Sequence, residues 1–143
     1  MKIKNCLNLK KCCGTIVSAL TLTAVMVVPC LASTTTSFKV NNVNITGNIS
    51  YIDTNDYNPF TSDSVTVRTN AKASMDNISA TATIYFAEGY TIKTVQENCT
   101  NKNATSCSVT AKSSGKGIGF RGVGNHYAAH NGKSGSGITG VNW

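Results

Sequence analysis

The stretch VTVRTNAKASMDNISATATIYF, residues 65–86, decides how the rest of the chain is read. Val67, Thr69, Ala71, Ala73 and Met75 recur at every second position, and so do Ile78, Ala80, Ala82, Ile84 and Phe86. A period of two is the mark of a half-buried β-strand. The alternation breaks at Asp76-Asn77, two residues that tolerate the positive φ of a tight hairpin turn. Read as such a turn, the break sets Met75 opposite Ile78, Ala73 opposite Ala80, Ala71 opposite Ala82, Thr69 opposite Ile84 and Val67 opposite Phe86, all on one face. Arg68, Asn70, Lys72, Ser79, Thr81 and Thr83 form the wet face. The small alanines at 71, 73, 80 and 82 predict that a second layer approaches closely there.

Working outward, Phe38 and Val40, Val43 and Ile45, and Ile49 and Tyr51 give short alternating segments broken by Asn41-Asn42 and Gly47-Asn48. Residues 53–63, with Asn58-Pro59, read as a long loop. Glu88-Gly89 marks a turn into residues 90–98, and pairing across it calls for a bulge or a longer turn. Residues 99–107 read as the loop of another hairpin, with Val95 opposite Ala111 and Val109 opposite Glu97. Residues 115–143 hold nine of the twelve glycines. Strands near 117–123 and 138–143, joined by a loop at 125–137, compete there with a flexible glycine-rich tail, and Trp143, the single indole, argues for order. No segment shows a helical period. The expected fold class is all-β: a small antiparallel β-sandwich or barrel of about six to eight short strands.

The N-terminus reads as an address. Residues 1–11 carry Lys2, Lys4, Lys10 and Lys11 and no acid, residues 14–28 are almost wholly apolar or small, and Cys30-Leu31-Ala32 offers small residues for cleavage. This apolar run is shorter than the roughly 20 residues that cross a bilayer as a helix, and Pro29 and a Ser/Thr cluster follow it. A removed secretory signal peptide at 1–32 is therefore expected, followed by a single β-domain at 33–143 with no permanent membrane span. Lipid attachment at Cys30 fits less well, because Pro29 stands where a small residue is wanted. Cys6, Cys12, Cys13 and Cys30 leave with the signal, so Cys99 and Cys107 remain and form one disulfide in an oxidising compartment. The expected location is extracellular or at the cell surface. Abundant Asn, Lys and Thr and the lysine-rich leader fit a low-GC Gram-positive bacterium, in which the Asn-x-Ser/Thr triplets at Asn44, Asn48, Asn77, Asn98 and Asn103 carry no glycan.

Charge is asymmetric. The formal charge of the whole chain is +7, and removal of the four leader lysines leaves nine bases against six acids. All six acids precede Cys99, whereas Lys102, Lys112, Lys116, Arg121 and Lys133 follow it. A basic C-terminal third suits an anionic envelope polymer or cell surface, with Lys112, Lys116, Arg121 and Lys133 as the candidate binding residues.

Candidate chemistry is thin. His126 and His130 are four apart, but Tyr127 stands where a zinc protease motif has Glu, and the two read as solvent-exposed loop histidines. Asp53, Asn55 and Asp56 resemble the start of a calcium loop, which Tyr57 and Asn58 break; a looser site from Asp53, Asp56 and Asp63 gives way to a plain turn. Gly135-Ser136-Gly137 lacks the spacing of a nucleophile elbow, and Ser113 to Gly119 lacks that of a phosphate loop. Glu88 and Glu97 are the only glutamates. Phe120 and Tyr127 are few stacking partners for a nucleic acid. The reading is a non-enzymatic surface or envelope binding protein without cofactor, metal or nucleic acid, a protein partner being a further option. An exported antibacterial or toxin-like protein acting on membranes is the alternative, and a structural matrix or coat protein the third.

Overall fold

The computed structural model describes residues 34–54 and 62–143, which fall within one compact unit. The signal peptide, Asp56 and Asn58-Pro59 lie outside the described residues. Six antiparallel strands follow one another: β1 (Thr35–Val40), β2 (Val43–Ile52), β3 (Ser64–Glu88), β4 (Thr91–Lys112), β5 (Ile118–His130) and β6 (Lys133–Asn142). They form one sheet in the order β1-β2-β3-β5-β6, with β4 paired to β3. The all-β expectation holds, but two strands are long: β3 has 25 residues and β4 has 22.

The central correction concerns Asp76-Asn77. No hairpin turns there: residues 65–86 belong to one continuous strand. Val65, Val67 and Thr69 pair with Tyr51, Ile49 and Gly47 on one side and with Ala111, Val109 and Cys107 on the other. Ile78, Ala80, Ala82 and Ile84 pair instead with Asn101, Cys99, Glu97 and Val95, and with Ala128, His126, Gly124 and Gly122. Between Asn70 and Met75 the ladder to β4 slips, and β3 uses five residues where β4 uses two. This irregularity resets the alternation. Met75 and Ile78 are both fully buried with two residues between them, a change of parity that a turn or a bulge produces alike.

At the slip, β3 folds back on itself. Ten extended residues span about 33 Å, yet the Thr69 hydroxyl donates to the Ser79 carbonyl at 2.8 Å. β4 follows the same bend, with Asn103 at φ 49°, and the Cys99–Cys107 disulfide closes across it with the two Cα atoms 6.1 Å apart. The expected disulfide is therefore present, but inside one strand. Val95 lies opposite Ile84 and Ala111 opposite Val65, so the hairpin expected at 99–107 does not form.

Folding β3 and β4 in half creates two layers. The first comprises β1, β2, residues 64–70 of β3 and 106–112 of β4; the second comprises residues 77–88 of β3, 91–102 of β4, β5 and β6. β1 meets β6 by side-chain packing, Thr36 and Phe38 lying against Gly137 and Gly135, so the sheet is a nearly closed barrel. The glycine-rich C-terminal stretch is a strand pair rather than a tail. Its expected loop at 125–137 is replaced by a two-residue turn, Asn131-Gly132, with φ values of 50° and 74°. Asn41-Asn42 turns β1 into β2 in the same left-handed region, the conformation that two-residue hairpin loops favour. Gly89-Tyr90 joins β3 to β4 with Glu88 opposite Thr91, so that turn lies one residue later than expected and needs no bulge.

The close approach that the alanines suggested is supplied chiefly by glycines. Ala80 and Ala82 are fully buried, but Ala73 is exposed. A Cβ at Gly122 or Gly124 would lie 2.7 Å or 2.9 Å from the Val65 or Val67 Cγ2 of the opposite layer, and one at Gly47 would overlap the His126 ring. Overpacking of this kind costs about 1–3 kcal/mol, and Gly47→Ala should lower the unfolding free energy by that amount, seen as a lower urea midpoint, while the variant keeps its strand signal in circular dichroism; an unchanged midpoint would contradict the packing. Reduction of the disulfide should cost about 2–3 kcal/mol, the loop-closure value for so short a ring, measured as the difference in unfolding free energy with and without reductant.

Candidate functional site

The buried polar residues show where chemistry is not available. His126, from β5, is 1% exposed, so the expectation of two solvent-exposed loop histidines is corrected: both lie on β5 and one is in the core. The Thr69 hydroxyl gives its single proton to Ser79, and it therefore accepts from His126 Nδ1 at 2.9 Å. The other nitrogen, Nε2, then accepts from the Thr139 hydroxyl at 2.9 Å. Burial pushes the His126 pKa down from 6.5 to about 4. The neutral ring is thus a brace between β3, β5 and β6. His130 faces elsewhere, its Nδ1 donating to Asp76 at 3.3 Å, while Asp76 also accepts the Asn131 amide at 2.7 Å. The two histidines do not converge.

Asp63 has a similar bracing role. It is 4% exposed, and its carboxylate accepts from the Thr54 amide and hydroxyl at 3.0 and 2.9 Å and from the Gly119 amide at 2.7 Å. Its carbonyl accepts from the Ser113 amide at 2.9 Å. Three chain segments are held together by one side chain and its own backbone, and this carboxylate is spent on that task.

The fold-back brings both termini of β3 to the same end of the molecule, opposite the bend. Ile52 and Lys112 flank Ser64 there, and Ile92 and Ile118 flank Ala87. Tyr90 projects from the β3–β4 turn, fully exposed. Tyr51 stacks on Trp143 with ring centroids 4.6 Å apart and planes 10° apart, which orders the C-terminus as its indole suggested. Seven large apolar side chains are exposed among the described residues, and five of them, Tyr51, Ile52, Tyr90, Ile92 and Ile118, share this open end. The exposed large apolar side chains among the described residues are thus concentrated at one pole rather than scattered.

Three of the four candidate binding residues sit with it. Lys112 ends β4, Lys116 lies in the β4–β5 connection, and the Arg121 guanidinium lies 5.5 Å from the Tyr85 ring centre on the outer face of the second layer. Lys93 is there too, paired with Glu88. Lys133 is not. It stands opposite His130 at the far end of β5, about 40 Å of strand from the open end. The basic C-terminal third is therefore two separate groups of charge.

Sequence reading identified the charges and missed the apolar residues beside them. The signal lay in broken alternation: Tyr51-Ile52 are adjacent apolar residues at a strand end, and Tyr90 and Ile92 crowd a turn. Which strand ends share a pole depends on the bend. Among the described residues no group of His, Cys, Asp and Glu could hold a metal ion, and no helix is long and apolar enough to cross a membrane. No protein family, curated protein or solved structure matches the chain.

The depressed His126 pKa sets a pH dependence. Between 6.5 and 4 the unfolded chain takes up a proton that the folded one refuses, so this contribution is complete above pH 6.5 and falls by about 3 kcal/mol as pH drops through the window. Urea unfolding at pH 7.5 and 4.5 should show that loss, and His126→Gln should be less stable at pH 7.5 with a flatter profile; an equally steep profile in the variant would place the sensitivity elsewhere.

Proposed function

We propose that the chain is an exported, non-catalytic domain that attaches to an anionic extracellular surface through its open end. The observation that carries the reading is the coincidence of exposed Ile52, Tyr90, Ile92 and Ile118 with Lys112, Lys116 and Arg121 at one pole. Cations near an anionic leaflet contribute about 1 kcal/mol each, and apolar side chains add about 25 cal/mol per Å² removed from water. Neither term is strong alone. Together they make a salt-sensitive, reversible attachment, which suits a protein carrying an export leader. Lys133 belongs to the opposite pole and is left out of this surface.

A second reading, an antibacterial or toxin-like protein that breaches the membrane it meets, draws on the Tyr90 and Ile92 projection at the same pole. The two readings share a surface and differ in outcome for the bilayer.

Co-sedimentation with phosphatidylglycerol vesicles, beside neutral phosphatidylcholine vesicles and a purified anionic envelope polymer, tests both. Anionic vesicles should bind the protein in a salt-dependent way. Changing Lys112, Lys116 and Arg121 together to Gln should weaken binding about a hundredfold, Tyr90→Ser with Ile92→Ser should weaken it without altering the salt slope, and Lys133→Gln should leave it unchanged. Equal affinity for anionic and neutral vesicles would defeat the electrostatic reading. Binding to the polymer alone would move the surface from lipid to wall. Retained dye in loaded vesicles supports attachment, and released dye supports the membrane-active reading.

A further inference from the structure

The pole opposite the open end carries a cationic feature that the attachment surface does not use. Lys39 pairs with Asn44 across β1 and β2, and Lys72 follows Ala71, the partner of Ile45 in the next strand. All three side chains are exposed on the outer face of the first layer. Neighbouring strands lie about 4.8 Å apart, so the two lysines rise on either side of a single amide, and their long stems reach the space above it. With Ser37, Phe38, Ile45 and Thr46 they line a depression of about 440 Å³.

Two ammonium groups in this relation repel each other, and strand surfaces ordinarily relieve such a pair with a carboxylate nearby. Here none is close. The outer-face rows next to them read Ser37, Thr46, Asn70 and Ser106, and then Thr35, Asn48, Arg68 and Ser108. Of the described carboxylates, Asp53 and Asp63 lie at the open end, Glu88 is against Lys93 and Glu97 is opposite Ala82, while Asp76, at this pole, is engaged by His130 and the Asn131 amide rather than by either lysine. Among the described residues neither Lys39 nor Lys72 forms an ion pair. The depression thus combines two lysines outside any ion pair, an amide that donates from its NH2 group, and two hydroxyls, and no carboxylate lines it.

We infer that this depression is a binding subsite for a phosphoryl or sulfuryl oxyanion. Lys39 and Lys72 supply the charge-assisted hydrogen bonds from opposite sides, and Asn44, Ser37 and Thr46 supply neutral donors between and beside them. Arg68, four residues before Lys72 on the same outer face, offers the next cation to a chain of repeating anionic groups. The subsite does not depend on the attachment reading, because it shares no residue with the open end.

The test is a titration of the full chain with inorganic phosphate and, separately, with polyphosphate, followed by backbone amide shifts. Saturable shifts should centre on residues 37–46 and 71–73. Lys39→Gln with Lys72→Gln should weaken binding about tenfold per lysine removed, with an unchanged unfolding midpoint to show that the fold persists, while Lys102→Gln on the other layer should have no effect. Equal affinity per phosphoryl group for the two ligands identifies a single-group ligand; much tighter polyphosphate binding that Arg68→Gln abolishes identifies a polymer. Shifts that avoid these residues, or a double variant that binds as well as the parent, would overturn the subsite.

Discussion

The bend in β3 is the constraint on which the rest of the structure depends. Twenty-five residues of unbroken strand would extend about 80 Å, and instead Thr69 meets Ser79 through a hydrogen bond while Cys99 and Cys107 close the companion strand across the same corner. His126 then reads the bend from inside the barrel, because the threonine that bonds Ser79 also accepts its Nδ1 proton. A covalent clasp on one strand and a buried polar chain on the other hold the same fold-back. The chain Ser79–Thr69–His126–Thr139 is satisfied at each link, the condition under which buried polar groups specify a structure rather than weaken it.

Once the ribbon is folded in half, the distance between its layers is set by what faces inward. Gly47, Gly122 and Gly124 each sit where a Cβ would collide with a side chain of the other layer. Val65 and Val67 fill the space over β5, and the His126 ring fills the space over β2. Glycine ordinarily weakens a strand interior, and here that cost is offset by close packing against branched and aromatic side chains. The glycine-rich composition of residues 115–143, which alone is ambiguous between strand and tail, is therefore a packing requirement of the second layer.

The bend also sorts the surface. It collects the two ends of β3, the end of β2 and the start of β5 at one pole, where Asp63 ties Thr54, Ser113 and Gly119 together. The turns Asn41-Asn42 and Asn131-Gly132 collect at the other, joined when the Asn41 side chain donates to the His130 carbonyl at 2.6 Å. Exposed isoleucines and tyrosines gather at the first pole and the Lys39 and Lys72 pair at the second. A molecule polarised in this way has two chemically distinct ends, one with exposed large apolar side chains beside its charges and one on which lysines and polar side chains predominate.

The sequence by itself determined the all-β class and most of the side chains of residues 65–86 that face inward, since alternation is a local property of an extended backbone, but Ala73, expected inward, is exposed at the bend and Thr83, expected on the wet face, is buried. Val67, Thr69, Met75, Ile78, Ala80, Ala82, Ile84 and Phe86 are buried as their spacing requires. It also determined the Cys99–Cys107 pair. What only the tertiary structure decided is the meaning of the break at Asp76-Asn77, because a two-residue turn and a bulged bend shift parity identically and differ only in which distant strands each half then meets. The true two-residue turn at Asn131-Gly132 carried the stronger local signal and was hidden inside a glycine-rich stretch that reads as loop. The same non-locality governs the surfaces: Lys112, Lys116 and Arg121 were legible as charges, but their separation from Lys133 and their company with Tyr90 and Ile92 follow from the fold-back, which no local pattern encodes.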